Sequence, residues 1–312
     1  MTERRTGDDT ARRIFGRVEL RAADGVILVT LALFSLLAVG FRADVPGWLL
    51  LVVKNAGVAV AVLVAAAVVP RIRRPVLAFF LRTATVSLSY AYLFGAVDSL
   101  QLILHGRFLD DFVLAFEARL FGVQPTLWLE RFVTPSLTEW MMFCYVIYIP
   151  LYPVLCAVLW VRRGRAAAEE YFLALGLANV LCDAGFILFP VASPMYWMAD
   201  RFRVPLDGWV FTWVGELIRT RAHFAGGSLP SPHAAAATVM WVMAWKHHRP
   251  TFWLLSPVIL SLYVSTFYGR FHYVTDVVFG IATAGLAVVL TPLLQRAWNR
   301  RAGAGPDATG RA

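Results

Sequence analysis

The chain has 312 residues, of which 59% are hydrophobic and only 16% are charged, with a formal net charge of +9 at pH 7. Soluble globular domains are about 45–50% apolar and about 25% charged, so the composition excludes an ordinary soluble domain and also a disordered chain. Three cysteines in so long a chain exclude a disulfide-stapled secreted module. The sequence therefore predicts an integral membrane protein.

Eight apolar segments have the length, or nearly the length, of about 20 residues that a membrane-spanning helix requires. They cover residues 24–41, 47–69, 78–104, 136–161, 169–191, 232–246, 251–268 and 272–295. We expect an all-α fold, a polytopic membrane helical bundle of about eight transmembrane helices. The positive charges lie between these segments, a pattern that is typical of membrane topology and argues against nucleic acid as a partner.

The basic residues concentrate in alternate connections between the segments. Arginines and lysines are dense before residue 22, at 71–74, at 162–165, at 246–249 and after 295, and are sparser in the other connections. By the positive-inside rule both termini are cytoplasmic. The many arginines and alanines are typical of a GC-rich bacterial genome, so we expect a bacterial inner membrane.

Two of the outer connections are long enough to carry structure of their own. Residues 105–134 contain an amphipathic stretch that predicts an interfacial helix, and residues 206–220 predict another helix. The apolar face of the first would hold Phe108, Leu109, Phe112, Val113, Phe116 and Leu120. Asp110, Asp111, Glu117 and Arg119 lie mostly away from that face.

His233 lies at the outer end of the sixth apolar segment. Ser231 followed by Pro232 is typical of a helix N-cap and first helical residue, which places His233 in the first turn. Free amides and the helix dipole favour an anion there, and Gly227 would let the backbone approach a ligand closely. An ordinary helix start at the membrane interface would explain the same residues.

His272 lies at the outer end of the last apolar segment. Asp276 follows it by four residues and so lies on the same helical face, where a carboxylate can orient one ring nitrogen and leave the other as a nucleophile or base. Arg270 adds donors that suit phosphate oxygens. An Arg/His/Asp cluster at a span boundary is costly and indicates function.

The Pro-Ser-Pro-His of residues 230–233 and the His-Tyr-Val-Thr-Asp of residues 272–276 resemble the second and third signature motifs of the type 2 phosphatidic acid phosphatase superfamily. The stretch from Tyr268 to Gly280 is most similar to the branch of inositol phosphorylceramide synthases. The resemblance covers residues 80–295. It implies a six-helix phosphatase-type core at 76–298, preceded by a cytoplasmic segment with two additional helices at 1–75 and followed by a disordered tail at 299–312.

The resemblance also implies roles for the motif residues. His272 would attack phosphorus and form a phosphohistidine, Asp276 would orient it, and His233 would protonate the leaving oxygen. The residues expected to bind the substrate phosphate are Arg270, Ser231, Gly227 and Tyr268.

This sequence departs from the family's pattern at several positions. Thr266 stands where the third motif begins with Ser-Arg, Pro232 replaces a glycine, Met195 replaces an arginine, and the Lys-x6-Arg-Pro first motif is absent. Other cations of the outer connections are candidates to replace the missing charges. They are Arg201, Arg203, Arg221 and His223.

The expected activity is that of a lipid phosphate phosphatase or phosphotransferase at the outer face, with a phospholipid or other lipid phosphate as partner. The sequence offers no carboxylate cluster, so neither a metal nor another cofactor is expected. Two other classes remain open. One is a catalytically silent lipid-binding member of the family, and the other is a transporter that uses the intramembrane residues Lys54, Arg82, Asp98 and Asp183.

Overall fold

The computed structural model describes residues 12–14, 18–222 and 224–303. A short antiparallel hairpin (β1, Arg12–Ile14; β2, Val18–Leu20) precedes the helices. The helices are α1 (Ala22–Gly40), α2 (Trp48–Val68), α3 (Pro75–Val97), α4 (Asp110–Phe121), α5 (Pro125–Trp128), α6 (Pro135–Arg163), α7 (Arg165–Leu188), α8 (Pro194–Trp197), α9 (Val210–Ala222), α10 (Pro232–His247), α11 (Arg249–Tyr268) and α12 (Val274–Gly303).

Seven of these helices are long and apolar enough to cross a membrane, which confirms the predicted all-α polytopic bundle. They are α1, α2, α3, α6, α7, α11 and α12. The sixth predicted segment, α10, has only 16 residues. At 1.5 Å per residue it is about 24 Å long, shorter than a hydrocarbon core of about 30 Å. Nearly all of its side chains from Ala234 to Met240 are buried among the other helices.

The core of the bundle forms around α7. This helix packs against α1, α3, α6, α10 and α12, and about two thirds of its most apolar window (67%) is buried. Small residues along α7 and α10 allow these close approaches, since alanine and glycine bring helix backbones together in membranes. The buried helices α7 and α10 therefore hold the ends of their neighbours in place.

Several element boundaries differ from the sequence prediction for identifiable reasons. Helix α3 ends at Val97 rather than near residue 104, because the polar residues Asp98 and Gln101 interrupt the apolar run and bond to each other at 2.8 Å. Helix α9 begins at Val210, where the carboxylate of Glu139 accepts the backbone N–H groups of residues 209, 211 and 212 at 2.7–3.1 Å. A carboxylate from a neighbouring helix thus satisfies donors that α9 leaves unpaired.

The predicted terminal segments fall mostly outside the described residues. Helix α12 continues to Gly303, so residues 299–303 are helical, and the rest of the predicted tail, 304–312, is not described. Most of the basic segment before residue 18 and the candidate His223 are likewise outside the described part of the chain.

The two ends of the bundle differ in their chemistry. At one end, where α6, α7 and α10 meet, Lys246 and His247 pair with Glu170, and Arg163 donates to the carbonyl of His247 at 2.5 Å. At the other end lie the C-termini of α7 and α11 and the N-termini of α10 and α12. Both candidate histidines belong to this second end.

Candidate active site

The two predicted histidines meet in the fold although 39 residues separate them in the chain. Nδ1 of His233 lies 3.1 Å from Nε2 of His272, and the ring centroids are 5.3 Å apart. His272 is 3% exposed and His233 is partly buried. The pairing arises because α10 and α12 pack side by side and begin at the same end of the bundle.

The second nitrogen of His272 faces acceptors. Its Nδ1 lies 3.1 Å from the carbonyl oxygen of Ser228, 3.2 Å from the Ser228 hydroxyl and 3.5 Å from Oδ2 of Asp276. The Ser228 hydroxyl donates to the same Oδ2 at 2.6 Å. Because a carbonyl can only accept, this network places the ring proton on Nδ1 and leaves the lone pair of Nε2 facing His233.

That tautomer determines where His233 carries its proton. Since Nε2 of His272 acts as the acceptor, the 3.1 Å contact requires a proton on Nδ1 of His233. The His233 ring also stacks on Tyr145 with centroids 4.8 Å apart and lies 5.1 Å from the ring of Tyr148. These α6 side chains hold the imidazole against its partner. The arrangement places a ring-nitrogen lone pair of His272 next to an N–H group of His233.

Local backbone structure positions both histidines. The hydroxyl of Ser231 accepts the N–H of Ala234 at 3.3 Å and Pro232 is the first helical residue, which confirms the predicted start of α10. Before α12, the carbonyl of Thr266 accepts the N–H groups of Phe271 and His272 at 2.9 and 3.1 Å. In the turn from Thr266 to Phe271, Arg270 has a positive φ of 68°, which is uncommon for a residue other than glycine.

The residues expected to bind phosphate occupy different surroundings. Ser231 lies beside the histidines, and its N–H donates to the carbonyl of Asp276 at 2.9 Å. Gly227 has a φ of 62° and donates its N–H to Gln101 at 3.2 Å. The Tyr268 hydroxyl bonds to Thr138 at 2.7 Å. All three groups are therefore already engaged within the protein. Among the additional cations, Arg201 and Arg203 are exposed.

Arg270 is turned away from the histidine pair. Its Nη2 donates to Glu130 at 3.1 Å and to the carbonyl of Val204, and its guanidinium carbon lies 4.1 Å from the centroid of the Phe202 ring. Burial lowers the pKa of Arg270, and the charge of Glu130 opposes that change. For Arg270 to reach a phosphate at His272, it must first leave these partners.

A cavity of about 580 Å³ lies next to the histidine pair rather than at it. Its walls include Arg270 and Phe271, but neither histidine. Phe271 stacks on Tyr145 with ring centroids 4.1 Å apart, and Tyr145 in turn stacks on His233. Proton and phosphoryl transfer depend on atoms within hydrogen-bonding reach, so the histidine pair, and not the neighbouring cavity, is the candidate site. Within the described ranges, no group of three His, Cys, Asp or Glu side chains is arranged to hold a metal ion.

The close contact between α10 and α12 depends on Gly280. A Cβ atom at this position would lie 2.5 Å from the carbonyl oxygen of Ser231, whereas one at Gly285 would meet nothing within 4 Å. We therefore expect Gly280→Ala to separate the two histidines and lower the thermal unfolding temperature in detergent, while Gly285→Ala has little effect. Differential scanning fluorimetry of both purified variants checks this. Equal unfolding temperatures would show that the contact does not control helix packing.

Several residues in this region were not identified as site candidates from the sequence. Ser228 connects Asp276 to His272, and Tyr145 supports His233. Asp110 and Glu117 of α4 are fully buried and bond to the residues on either side of Val274. The only sequence signal for the two acids was their spacing of seven residues, which places them on one helical face.

These observations define the protein as a helical membrane protein with a histidine–histidine–aspartate cluster at one end of its bundle. The chain belongs to the PAP2 superfamily, which matches residues 111–290. This range begins in α4 and ends in α12, and it contains the whole histidine cluster. Membership in the superfamily indicates a phosphatase or phosphotransferase of lipid-phosphatase type. No curated protein and no solved structure matches the chain significantly.

Proposed function

We propose that this protein transfers the phosphoryl group of a lipid phosphate through a phosphohistidine on His272. The observation that carries the proposal is the orientation of His272, whose Nδ1 faces the Ser228 carbonyl at 3.1 Å while Nε2 faces Nδ1 of His233 at 3.1 Å. A nucleophile held by an orienting group beside a proton donor is the arrangement that covalent catalysis requires.

The proposed reaction has two displacements. In the first, Nε2 of His272 forms a bond to phosphorus, the bond between phosphorus and the ester oxygen breaks, and the leaving oxygen takes the proton from Nδ1 of His233. His233 enters this step as the imidazolium, protonated on both ring nitrogens, and leaves it as the neutral imidazole. In the second, a hydroxyl compound gives its proton to His233 and bonds to phosphorus, and the bond between phosphorus and His272 breaks. A substrate phosphate must therefore enter between the rings and replace their hydrogen bond.

Positioning and charge neutralisation make up most of the catalytic effect in phosphoryl transfer. Asp276 stabilises the ring that becomes positively charged during attack. Ser231, Gly227 and Tyr268 remain the proposed phosphate neighbours, and Arg270 would join them after exchanging Glu130 for the substrate. No cofactor enters the proposed reaction.

The topology of the site is also part of the proposal. Arg162, Arg163, Lys246 and Arg249 gather at the opposite end of the bundle, which the positive-inside rule assigns to the cytoplasm together with both termini. The histidines would then lie at the outer leaflet of a bacterial inner membrane. The proposal also includes the division of the chain into a cytoplasmic segment with two additional helices at 1–75 and a six-helix core at 76–298.

The hydroxyl compound that attacks the phosphohistidine in the second displacement decides the type of enzyme. Water makes the protein a phosphatase, and a lipid alcohol such as ceramide or diacylglycerol makes it a phosphotransferase of the inositol phosphorylceramide synthase-like branch. The distinction lies in which acceptor reaches phosphorus, and the residues around His272 are compatible with either.

A product assay tests the proposed function. Purified protein is mixed with micelles containing phosphatidic acid, phosphatidylinositol or phosphatidylglycerol, with and without ceramide or diacylglycerol. We expect inorganic phosphate from phosphatidic acid, or headgroup transfer to the added lipid alcohol. Protein that binds these lipids but yields neither product would contradict the proposal and support a silent lipid-binding member.

A further inference from the structure

Helix α4 turns two acidic side chains into the protein and several large apolar side chains outward. Asp110 and Glu117 are both 0% exposed, whereas Phe112, Phe116 and Leu120 are 51–61% exposed. Phe112, Phe116 and Leu120 of the predicted apolar face thus lie on the outside of the protein, whereas Leu109 and Val113 of the same predicted face are buried. Seven residues separate the two acids, so they lie on one face about 10 Å apart.

Asp110 connects two segments of the histidine site. Its carboxylate accepts the N–H groups of Ala192 and Ser193 at 2.8 and 3.2 Å and the hydroxyl of Tyr273 at 2.8 Å. The segment at 192–195 in turn contacts the residues before His272, since Met195 donates its N–H to the carbonyl of Arg270 at 2.9 Å. One carboxylate therefore ties the loop after α7 to the residue that follows His272.

Glu117 acts two turns further along the same face. Its carboxylate accepts hydrogen bonds from the N–H and the hydroxyl of Thr275 at 2.8 and 3.0 Å, and from the side-chain amide of Gln124 at 2.7 Å. Thr275 lies in the first turn of α12, where backbone N–H groups have no partner within the helix. Glu117 is thus a cap for α12 that is supplied by another helix.

The two acids bond to Tyr273 and Thr275, which flank Val274 in the short segment between His272 and Asp276. Tyr273 is held through its hydroxyl by Asp110 and through its N–H by Asp276, at 2.9 Å. Thr275 is held by Glu117. Because the relative position of His272 and Asp276 depends on this short segment, a displacement of α4 would be transmitted directly to the nucleophile.

Burying two carboxylates without a countercharge is expensive, even with hydrogen bonds. Burial raises the pKa of Asp110 to about 6, although its three donors favour the charged form. Burial also raises the pKa of Glu117. The carboxylates accept buried backbone N–H groups of the loop after α7 and of the first turn of α12, so the charge that α4 buries is matched to these two segments.

We propose that Asp110 and Glu117 are positioning residues that hold the segment 272–276 in its reactive geometry. This inference rests on the proposed function of His272, but its structural part can be measured without activity. Helix α4 would thus link the outer surface of the bundle to the nucleophile.

A test of this positioning role compares Asp110→Asn, Glu117→Gln and Tyr273→Phe with the control Asp111→Asn. Asp111 is the neighbour of Asp110 but is exposed, and its carboxylate accepts a hydrogen bond from the indole of Trp197 at 3.1 Å. Two quantities are measured in detergent on folded, monodisperse protein. They are kcat and KM for phosphatidic acid, and hydrogen–deuterium exchange of the peptides that cover the chain.

We expect Asp110→Asn and Glu117→Gln to lower kcat by about 10- to 100-fold with KM changed by less than about threefold, since small displacements of a reacting group are costly. Exchange in the peptide covering 271–277 should become about tenfold faster, with the rest of α12 and α10 unchanged. Tyr273→Phe removes one donor to Asp110 and should produce a smaller change of the same kind. The control should match the parent protein in both quantities.

Unchanged kcat and unchanged exchange at 271–277 in both acid variants would overturn the proposal. So would faster exchange throughout the chain with normal kcat per folded molecule, which would indicate a general structural role. If the parent protein does not turn over phosphatidic acid, the proposed function is in question, but exchange at 271–277 still decides whether the acids hold that segment.

Discussion

His272→Ala is expected to lower turnover of a lipid phosphate by about 10⁴-fold or more, because it removes the only atom that would bond to phosphorus. His105→Ala provides the matched control. His105 lies at the same end of the bundle, is exposed, and its Nε2 is 3.1 Å from the carbonyl oxygen of Leu188. It should keep the parent rate. Turnover is measured as product release per folded protein from phosphatidic acid micelles.

His233→Ala separates the role of proton donor from that of nucleophile. Loss of a general acid costs about 10²–10⁴-fold when the leaving oxygen is strongly basic, as in a lipid alcohol. With p-nitrophenyl phosphate, whose leaving group needs no proton, the loss should be much smaller. His272→Ala should remain inactive with both substrates. Equal losses for His233→Ala on the two substrates would contradict its role as the acid. Activity in His272→Ala would show that His272 is not the nucleophile.

That both histidines lie at the same end of the bundle could be predicted from the sequence, because each one begins an apolar segment. Charge asymmetry between connections places both starts at one end of the bundle, and the Ser-Pro cap places His233 in a first turn. For the two rings to meet, α10 and α12 must also be neighbours in the bundle. Sequence spacing alone does not require this, and Gly280 is the residue that allows their close contact.

The supporting residues could not be predicted in the same way. Ser228 reaches Asp276 only because a loop returns over the start of α12, and no periodic pattern indicates such a contact. Asp110 and Glu117 belong to an amphipathic helix, for which the usual expectation is that charged residues face water. In this protein Asp110 and Glu117 are buried, while Asp111 and Arg119 of the same helix are exposed.

A second buried cluster lies far from the histidines and connects α1, α3 and α7. Arg82 forms two bonds with Glu169, at 2.9 and 2.8 Å, and a third with Asp24. Arg21 lies 3.5 Å from Glu169, and its N–H donates to Asp24 at 2.9 Å. All four residues are at most 9% exposed. Two positive and two negative side chains therefore balance within the bundle.

This cluster attaches the N-terminal helices to the rest of the protein. The superfamily match begins at residue 111, so α1 and α3 lie outside it, whereas α7 lies inside. Glu169 is near the start of α7, about 28 Å along the helix axis from Leu188 at the histidine end. The cluster is thus placed to stabilise the fold without touching the site.

Arg82→Met is expected to destabilise the protein by about 3–5 kcal/mol, since it removes the arginine that bonds to two buried carboxylates and leaves Arg21 as one positive charge against two negative ones. Arg73→Met, which changes an exposed arginine at the same end, should have little effect. Unfolding of both variants in detergent, followed by circular dichroism, gives the comparison. Adding Glu169→Gln to Arg82→Met should restore much of the lost stability, because Arg21 and Asp24 then remain as one buried positive and one buried negative charge.

The double variant distinguishes charge from packing. If Arg82→Met is destabilising and the double variant is not, the cost lies in the uncompensated buried charge. If both are equally destabilised, the long side chain of Arg82 contributes mainly by filling space between the three helices. In either case the folded fraction should keep the parent kcat, because the cluster and the histidines lie at opposite ends of α7. A stable Arg82→Met variant would show that α1 and α3 are held to α7 by apolar contacts alone.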